Sequence, residues 1–353
     1  MSIQKKPFGQ TSQGEPISVY TLTNAKGAKV AISDFGGIIT EIWVPDRNGV
    51  LADVNLGFGS ADPYVSGHTG SMGALIGRYG NRIAEGKLTV EGETYQLACN
   101  NGKNHLHGAP HGFGMRMWEV EPVELEDKDQ LIMTVDSPDG EGNYPGHVQV
   151  KVTYTFDNDC NLTMRYQATT DKTTVLNLTN HAYFNLAGHD SGSVFNQLLQ
   201  IDADAITKVR EGLIPTGEYM PVAGTPFDLR KPTPIGKGLL LKDTDPQMKF
   251  GGGYDHNFVL RKGSAFGLAA RLTDPVSGRI LEVLTDQPGV QFYSACGADF
   301  ENAKGGFHYK PFCGICLETQ HFPDSPNNPH FPSTLLKPGE VYDTITTYAF
   351  KAE

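Results

Sequence analysis

The chain has 353 residues, 29 Lys and Arg against 40 Asp and Glu, and a formal net charge of −11, with no run of basic residues. That balance argues against a nucleic-acid groove and against an anionic membrane surface as partner, and no stretch approaches the ~18 apolar residues of a membrane helix. The five cysteines, few and odd in number, suit a reducing compartment, so a cytoplasmic protein is expected.

In chain order, the opening "MSIQKKPFGQTSQGEP" has two lysines with no apolar run behind them and does not read as a signal peptide. Alternation of apolar and polar residues predicts strands over 17–22, 29–33 and 38–44. A glycine-rich loop over 57–82 ends in "GRYGNRIAEG", where Arg78 and Arg82 are candidates for charge-assisted hydrogen bonds to ring or hydroxyl oxygens, or are ordinary surface arginines. "KLTVEGETYQL" is a hairpin turning at Glu91-Gly92. The loop over 99–116 carries His105, His107 and His111. A His-x-His pair with a third histidine is compatible with a cupin-like metal site, but the expected carboxylate ligand is missing.

Strands follow over 118–125, 130–137, 148–156 and 162–169. In the first of the long ones, Val148, Val150, Val152, Tyr154 and Phe156 share one face. The stretch "TTVLNLTNHAYFNLAG" predicts a strand over 174–183 with Asn177, Thr179, His181 and Tyr183 on one face and Leu176 and Leu178 on the other. A strand histidine is often structural; a polar line beside it points to a groove for a polar ligand, because buried polar groups need partners. Further strands are predicted over 197–201, 268–273, 280–285, 290–295, 312–319 and 341–350, with turn-rich segments over 210–256 and 319–340. "GGGYDHNFVL" sets Asp255 and His256 just before a strand, and "FCGICLETQHF" sets Glu318 in one, beside the small Cys316 and Gly314. Glu is seldom fully buried unless paired; Glu318 is either an edge residue facing water or a cleft carboxylate tuned for proton transfer. "CGIC" has no second cysteine pair and reads as neither a zinc nor a redox motif.

Many short strands, scarce helical periodicity and no linker give an all-β fold, a sandwich or barrel, as one domain over 1–353.

Seven stretches, in order, resemble the aldose 1-epimerase (galactose mutarotase) family: "GALIGRYGNRIAEG", "LHG", "LTNHAYFNLAG", "TPFDLR", "YDHNF", "GVQFY" and "CLETQHFPD". The resemblance runs from about Gly9 to Phe350 and implies a large antiparallel β-sandwich, the supersandwich of that family. It implies Glu318 as catalytic base on the C1 hydroxyl and His181 as acid to the ring oxygen. It implies His107, Asn81, Arg82, Asp255 and Gln291 as sugar-holding residues. The substrate would be a free aldohexose such as D-galactose or D-glucose, in hexose metabolism, with no cofactor and no metal. Two departures bear on selectivity: Ala109, where the family usually has "LHGG", and "HTGSM" in the 67–72 loop. Near pH 7, proximity is expected to favour the charged form of both Glu318 and His181. A glycoside hydrolase using Asp255 and Glu318, or a carbohydrate-binding protein using the same groove, are the alternatives. The sequence leaves monomer or homodimer open.

Overall fold

The computed structural model describes residues 2–110 and 112–353. Among them the structure is almost entirely β; the α-helical segments, Asp62–Val65, Ile235–Leu239 and Pro246–Gly251, are single short turns. No helix is long and apolar enough to cross a membrane.

Three antiparallel sheets carry the fold. The first is a meander of Ser2–Gln10, Pro16–Thr23, Lys29–Ser33, Ile39–Pro45 and Leu51–Asp53. The second has nine strands, in the order Glu119–Glu124, Lys128–Ser137, Val148–Asp157, Asn161–Thr170, Tyr342–Ala352, Arg279–Thr285, Gly267–Thr273, Leu198–Ile201 and Thr233–Pro234. The third has five, in the order Ile214–Pro221, Ala203–Arg210, Asp255–Leu260, Gly289–Tyr293 and Cys316–Gln320. One continuous apolar core draws on all three, with Leu22 and Ile42 from the first, Val152 and Tyr348 from the second, and Phe258 and Phe292 from the third.

Period-2 patterning explains the long strands. Val148, Val150, Val152, Tyr154 and Phe156 are all buried, while Gln149 and Lys151 are exposed. Burying each such apolar side chain contributes roughly 1.5–3 kcal/mol. The hairpin Lys87–Val90 and Glu93–Gln96 turns through Glu91 (φ 50°) and Gly92 (φ 87°). Both central residues therefore have positive φ, the turn whose twist matches that of the flanking strands.

The predicted strand over 174–183 is not one strand. It forms two short pieces, Thr174–Val175 and Thr179–Asn180, each paired elsewhere. Its polar residues explain why. Asn177 donates to the carbonyls of Gly80 and His321 and accepts from the His321 N–H. Asn180 donates to the Gly73 carbonyl, and Asn185 to those of Gly192 and Cys313. These asparagines satisfy loop backbone that has no ladder partner. Conversely, the segment over 210–256, read as a loop, contains the strand Ile214–Pro221 and the start of Asp255–Leu260.

Alternation in the third sheet places the chemistry. Phe258, Val290, Phe292 and Leu317 turn to the core. Asp255, Gln291, Tyr293, Cys316 and Glu318 share the other parity, on strands whose register sets Asp255 opposite Tyr293, Gln291 opposite Glu318, and Tyr293 opposite Cys316.

Candidate active site

A cavity of about 220 Å³ lies on that opposite face, lined by Asn81, Arg82, His107, His181, Asp255 and Glu318 together with Tyr183, Tyr293, Leu106, Gly70 and Ser71. A larger groove of about 680 Å³ over the nine-stranded sheet is lined by Glu119, Asp136 and Lys151 and contains neither a histidine nor a buried carboxylate.

Glu318 lies mid-strand with its side chain 3% exposed, and its Oε1 is 3.7 Å from Nε2 of His181. Its Oε2 is buried without a hydrogen-bond partner among the described residues. Burial pushes its carboxyl well above the usual range, the charge of Asp255 adds to this, and Arg82 opposes it. His181 enters from the loop after Thr179–Asn180, pinned by its N–H to the Ala74 carbonyl and by its carbonyl to the Gly73 N–H. Burial lowers its pKa to about 4. The expectation that proximity favours both charged forms is therefore corrected: loss of solvent dominates, and it favours both neutral forms. Tyr183 stacks on the imidazole (5.1 Å, 18°), and His107 and Tyr293 meet it edge-on.

His107 follows the two-residue strand His105–Leu106, which pairs with Arg82–Ile83. Its φ of 58° turns the chain out of that strand. As a result the predicted His-x-His pair diverges. His105 is buried elsewhere against the Ala98 carbonyl and the Tyr144 hydroxyl; His111 lies outside the described residues. His107 Nδ1 accepts the N–H of Asn81 at 3.1 Å, so the neutral ring carries its proton on Nε2. Burial and the neighbouring His181 hold its pKa well below the ordinary value.

Asn81 Oδ1 is occupied by the Arg82 N–H. Arg82 is steadied by Asn101 and pairs with Asp255, Nη2 to Oδ2 at 3.4 Å. Gln291 is set back from the cavity wall; its Nε2 donates to Asp255 Oδ1 at 2.6 Å. Arg78 does not reach the cavity. It is buried and bonds Ser137, Pro138 and Pro145, holding that turn. His256 lies beneath the sheet against Phe227.

Donor atoms of His107, His181 and Glu318 converge within 4.8 Å of one another, a spacing a metal ion could use. The tautomer speaks against that use. With Nδ1 of His107 taken by Asn81, Nε2 offers a proton rather than a lone pair, so a cation would have to displace that hydrogen bond.

Reasoning from sequence missed Tyr183, Tyr293 and Cys316 as site residues. Each stands two positions from a named one (His181, Gln291 and Glu318), which for Tyr293 and Cys316 in their strands means the same face, while Tyr183 reaches it from the loop by stacking on His181. The 67–72 loop does touch the site: Gly70 and Ser71 line the cavity, and the Gly70 carbonyl accepts the Tyr183 hydroxyl. Ala109 lines a neighbouring hollow of about 230 Å³ that shares Ser71, Leu106 and His107 as walls.

The sequence model of the family described as aldose 1-epimerase matches residues 18–349. The chain is 42% identical over 351 residues to a galactose mutarotase of Sus scrofa, covering 99% of each. It is 38% identical over 343 residues to an aldose 1-epimerase of Escherichia coli (strain K12), covering 96% of this chain and 97% of that one. The crystal structure of a galactose 1-epimerase from Lactobacillus acidophilus NCFM superposes with a TM-score of 0.87 at 27% identity, covering 100% of this chain and 99% of that one.

Proposed function

This chain belongs to the aldose 1-epimerase family and is a carbohydrate isomerase, and from that premise we propose that it interconverts the α and β anomers of free aldohexoses by acid–base ring opening. One observation carries the assignment of residues: a buried carboxylate and a buried imidazole, Glu318 and His181, 3.7 Å apart on the wall of one small polar cavity. A volume of about 220 Å³ falls below the ~300–1,000 Å³ of drug-sized sites and suits a single sugar ring.

Glu318 takes the proton of the C1 hydroxyl while His181 gives its Nε2 proton to the ring oxygen. The C1–ring-oxygen bond breaks as the C1 carbonyl forms, the C1–C2 bond rotates, and closure on the other face returns both protons. Burial makes carboxylic acid and neutral imidazole the resting state of the pair; the reactive form is its carboxylate–imidazolium tautomer, with the proton moved from Glu318 to His181 Nε2, and ring opening returns the pair to carboxylic acid and neutral imidazole. Burial favours that neutral state of both groups, so the acid is strong and the base is strong at the moment of opening. His107 presents its Nε2–H to the ring oxygen or the developing aldehyde, and Asn81, Arg82 and Asp255 hold the hydroxyls. Gln291 supports the site by fixing Asp255.

The hydrolase alternative needs Asp255 as a second catalytic carboxylate, yet both of its oxygens are engaged, by Gln291 and Arg82. Residues 1–353 are read as one domain, on the strength of the continuous core from Tyr20 to Phe350. The five free cysteines support a reducing, cytoplasmic setting.

The test is polarimetry of freshly dissolved α-D-galactose and α-D-glucose with purified protein, with and without chelator. Accelerated mutarotation insensitive to chelator is expected. No acceleration with either sugar refutes the proposal.

A further inference from the structure

Cys316 is completely buried and stands two residues before Glu318 on the same strand face. Its Sγ lies 3.4 Å from Nδ1 of His181, while Nε2 of the same ring faces Glu318. We propose that Cys316 is a positioning residue for the proton transfer: its sulfur receives the Nδ1–H of His181 and holds the ring with Nε2 turned into the cavity.

The inference rests on the acid–base reading above. An imidazole that gives away its Nε2 proton keeps the other on Nδ1, so Nδ1 needs an acceptor throughout the cycle. Where histidine acts as a base on a nucleophile, a carboxylate fills that role and stabilises the imidazolium. A general acid benefits from the reverse. Thiol sulfur is a neutral, weak acceptor, so it orients the ring while stabilising the imidazolium far less than a carboxylate would. Burial, reinforced by the charges of Glu318 and Asp255, holds the Cys316 thiol well above its ordinary pKa, so no thiolate forms beside the ring. The remaining groups facing the imidazole are its own backbone, which accepts from the ring and partly offsets burial, Tyr183 on its face, His107 and Tyr293 at its edges, Glu318 at Nε2, and the charge of Asp255. Cys316 supplies the hydrogen-bond partner at Nδ1.

The test compares Cys316→Ala and Cys316→Ser with the wild type, after urea unfolding confirms that each variant is folded. Loss of the orienting bond lowers kcat about tenfold in the Ala variant, with KM within about twofold. Serine restores most of kcat, and because a hydroxyl is the better acceptor it moves the His181 limb of the pH profile upward. The nearly isosteric Ser variant carries the test if the Ala variant is unstable. Wild-type kcat and pH profile in the Ala variant, or equal impairment of both variants with unchanged profiles, overturns the proposal. Ring-nitrogen NMR gives a readout that needs no turnover: the neutral His181 ring carries its proton on Nδ1, and a ring protonated only on Nε2 overturns the proposal. A wild type that fails to speed anomerisation refutes the functional reading; a wild type that does so with an indistinguishable Ala variant refutes this inference alone.

Discussion

His181→Asn separates the chemistry of the site from its stability, and both effects follow from the same burial. The imidazole is 6% exposed and its pKa is lowered to about 4. Removing a positioned acid lowers kcat by at least ~10²-fold, equivalent to about 2.7 kcal/mol of barrier. The stability effect has a definite sign. In the unfolded chain His181 titrates near its ordinary value of 6.5, so between that pH and about 4 the unfolded state holds a proton that the folded state does not. Stability therefore falls as pH falls through this window. With those two values, the native state loses about 2 kcal/mol between pH 7 and pH 5 on account of this one residue. Asparagine does not titrate, so it changes stability by a constant and removes that slope. Urea unfolding of wild type and variant at half-unit pH steps measures the difference; polarimetry measures kcat. Parallel stability curves from pH 7 to 5 refute the buried, neutral imidazole, and wild-type turnover refutes its role as the acid.

Two further substitutions probe the rest of the constellation. Glu318→Gln lowers kcat by at least ~10²-fold and yet stabilises the protein increasingly above pH 5, because the folded-state pKa is raised and the native carboxylate is disfavoured once the unfolded chain ionises; turnover assays and unfolding at pH 5 and pH 8 check both, and an unstabilised variant at pH 8 contradicts the shift. Asp255→Asn removes a charge-assisted acceptor worth about 1.5–3 kcal/mol, so KM for galactose rises roughly 10- to 100-fold while the protein stays folded; a KM within twofold of wild type removes Asp255 from the sugar-holding set.

The fold was legible wherever one face of a strand is dry and the other wet. Val148–Asp157 and Asn161–Thr170 follow the alternation residue for residue. It failed where polar side chains serve the backbone of loops. Asn177 keeps the alternation of a strand with Thr179, His181 and Tyr183, while it, Asn180 and Asn185 hydrogen-bond carbonyls far away in sequence, so periodicity over-extended a strand that is two fragments. In the site, Glu318 stood out because a carboxylate amid "ICLET" is either an edge residue facing water or a buried group in need of a partner, and burial decides for the second. Tyr183, Tyr293 and Cys316 did not, because an aromatic or small thiol residue in a strand pattern looks the same whether it faces a core or a cavity. The His-x-His spacing suggested one shared face for His105 and His107, and it failed because a positive φ at His107, which turns the chain out of that strand, leaves no mark in composition.

The same geometry explains how the proposed acid and base meet, although one stands in a regular strand and the other just beyond one. The register of Gly289–Tyr293 and Cys316–Gln320 fixes Glu318 against Gln291, and Gln291 in turn holds Asp255, so the two cavity carboxylates are set by one ladder. His181 comes from the segment beside the edge strand of that ladder: Phe184 and Ile315 exchange both backbone hydrogen bonds in an antiparallel bridge, a register that sets His181 across from Glu318. There its backbone leaves the ladder to bond Gly73 and Ala74, and its ring meets the Cys316 sulfur. On the proposed mechanism the C1 hydroxyl and the ring oxygen are touched at once, which two groups held side by side on adjacent segments can do, and Asn177, Asn180 and Asn185 anchor the segment that carries His181 by bonding loop carbonyls.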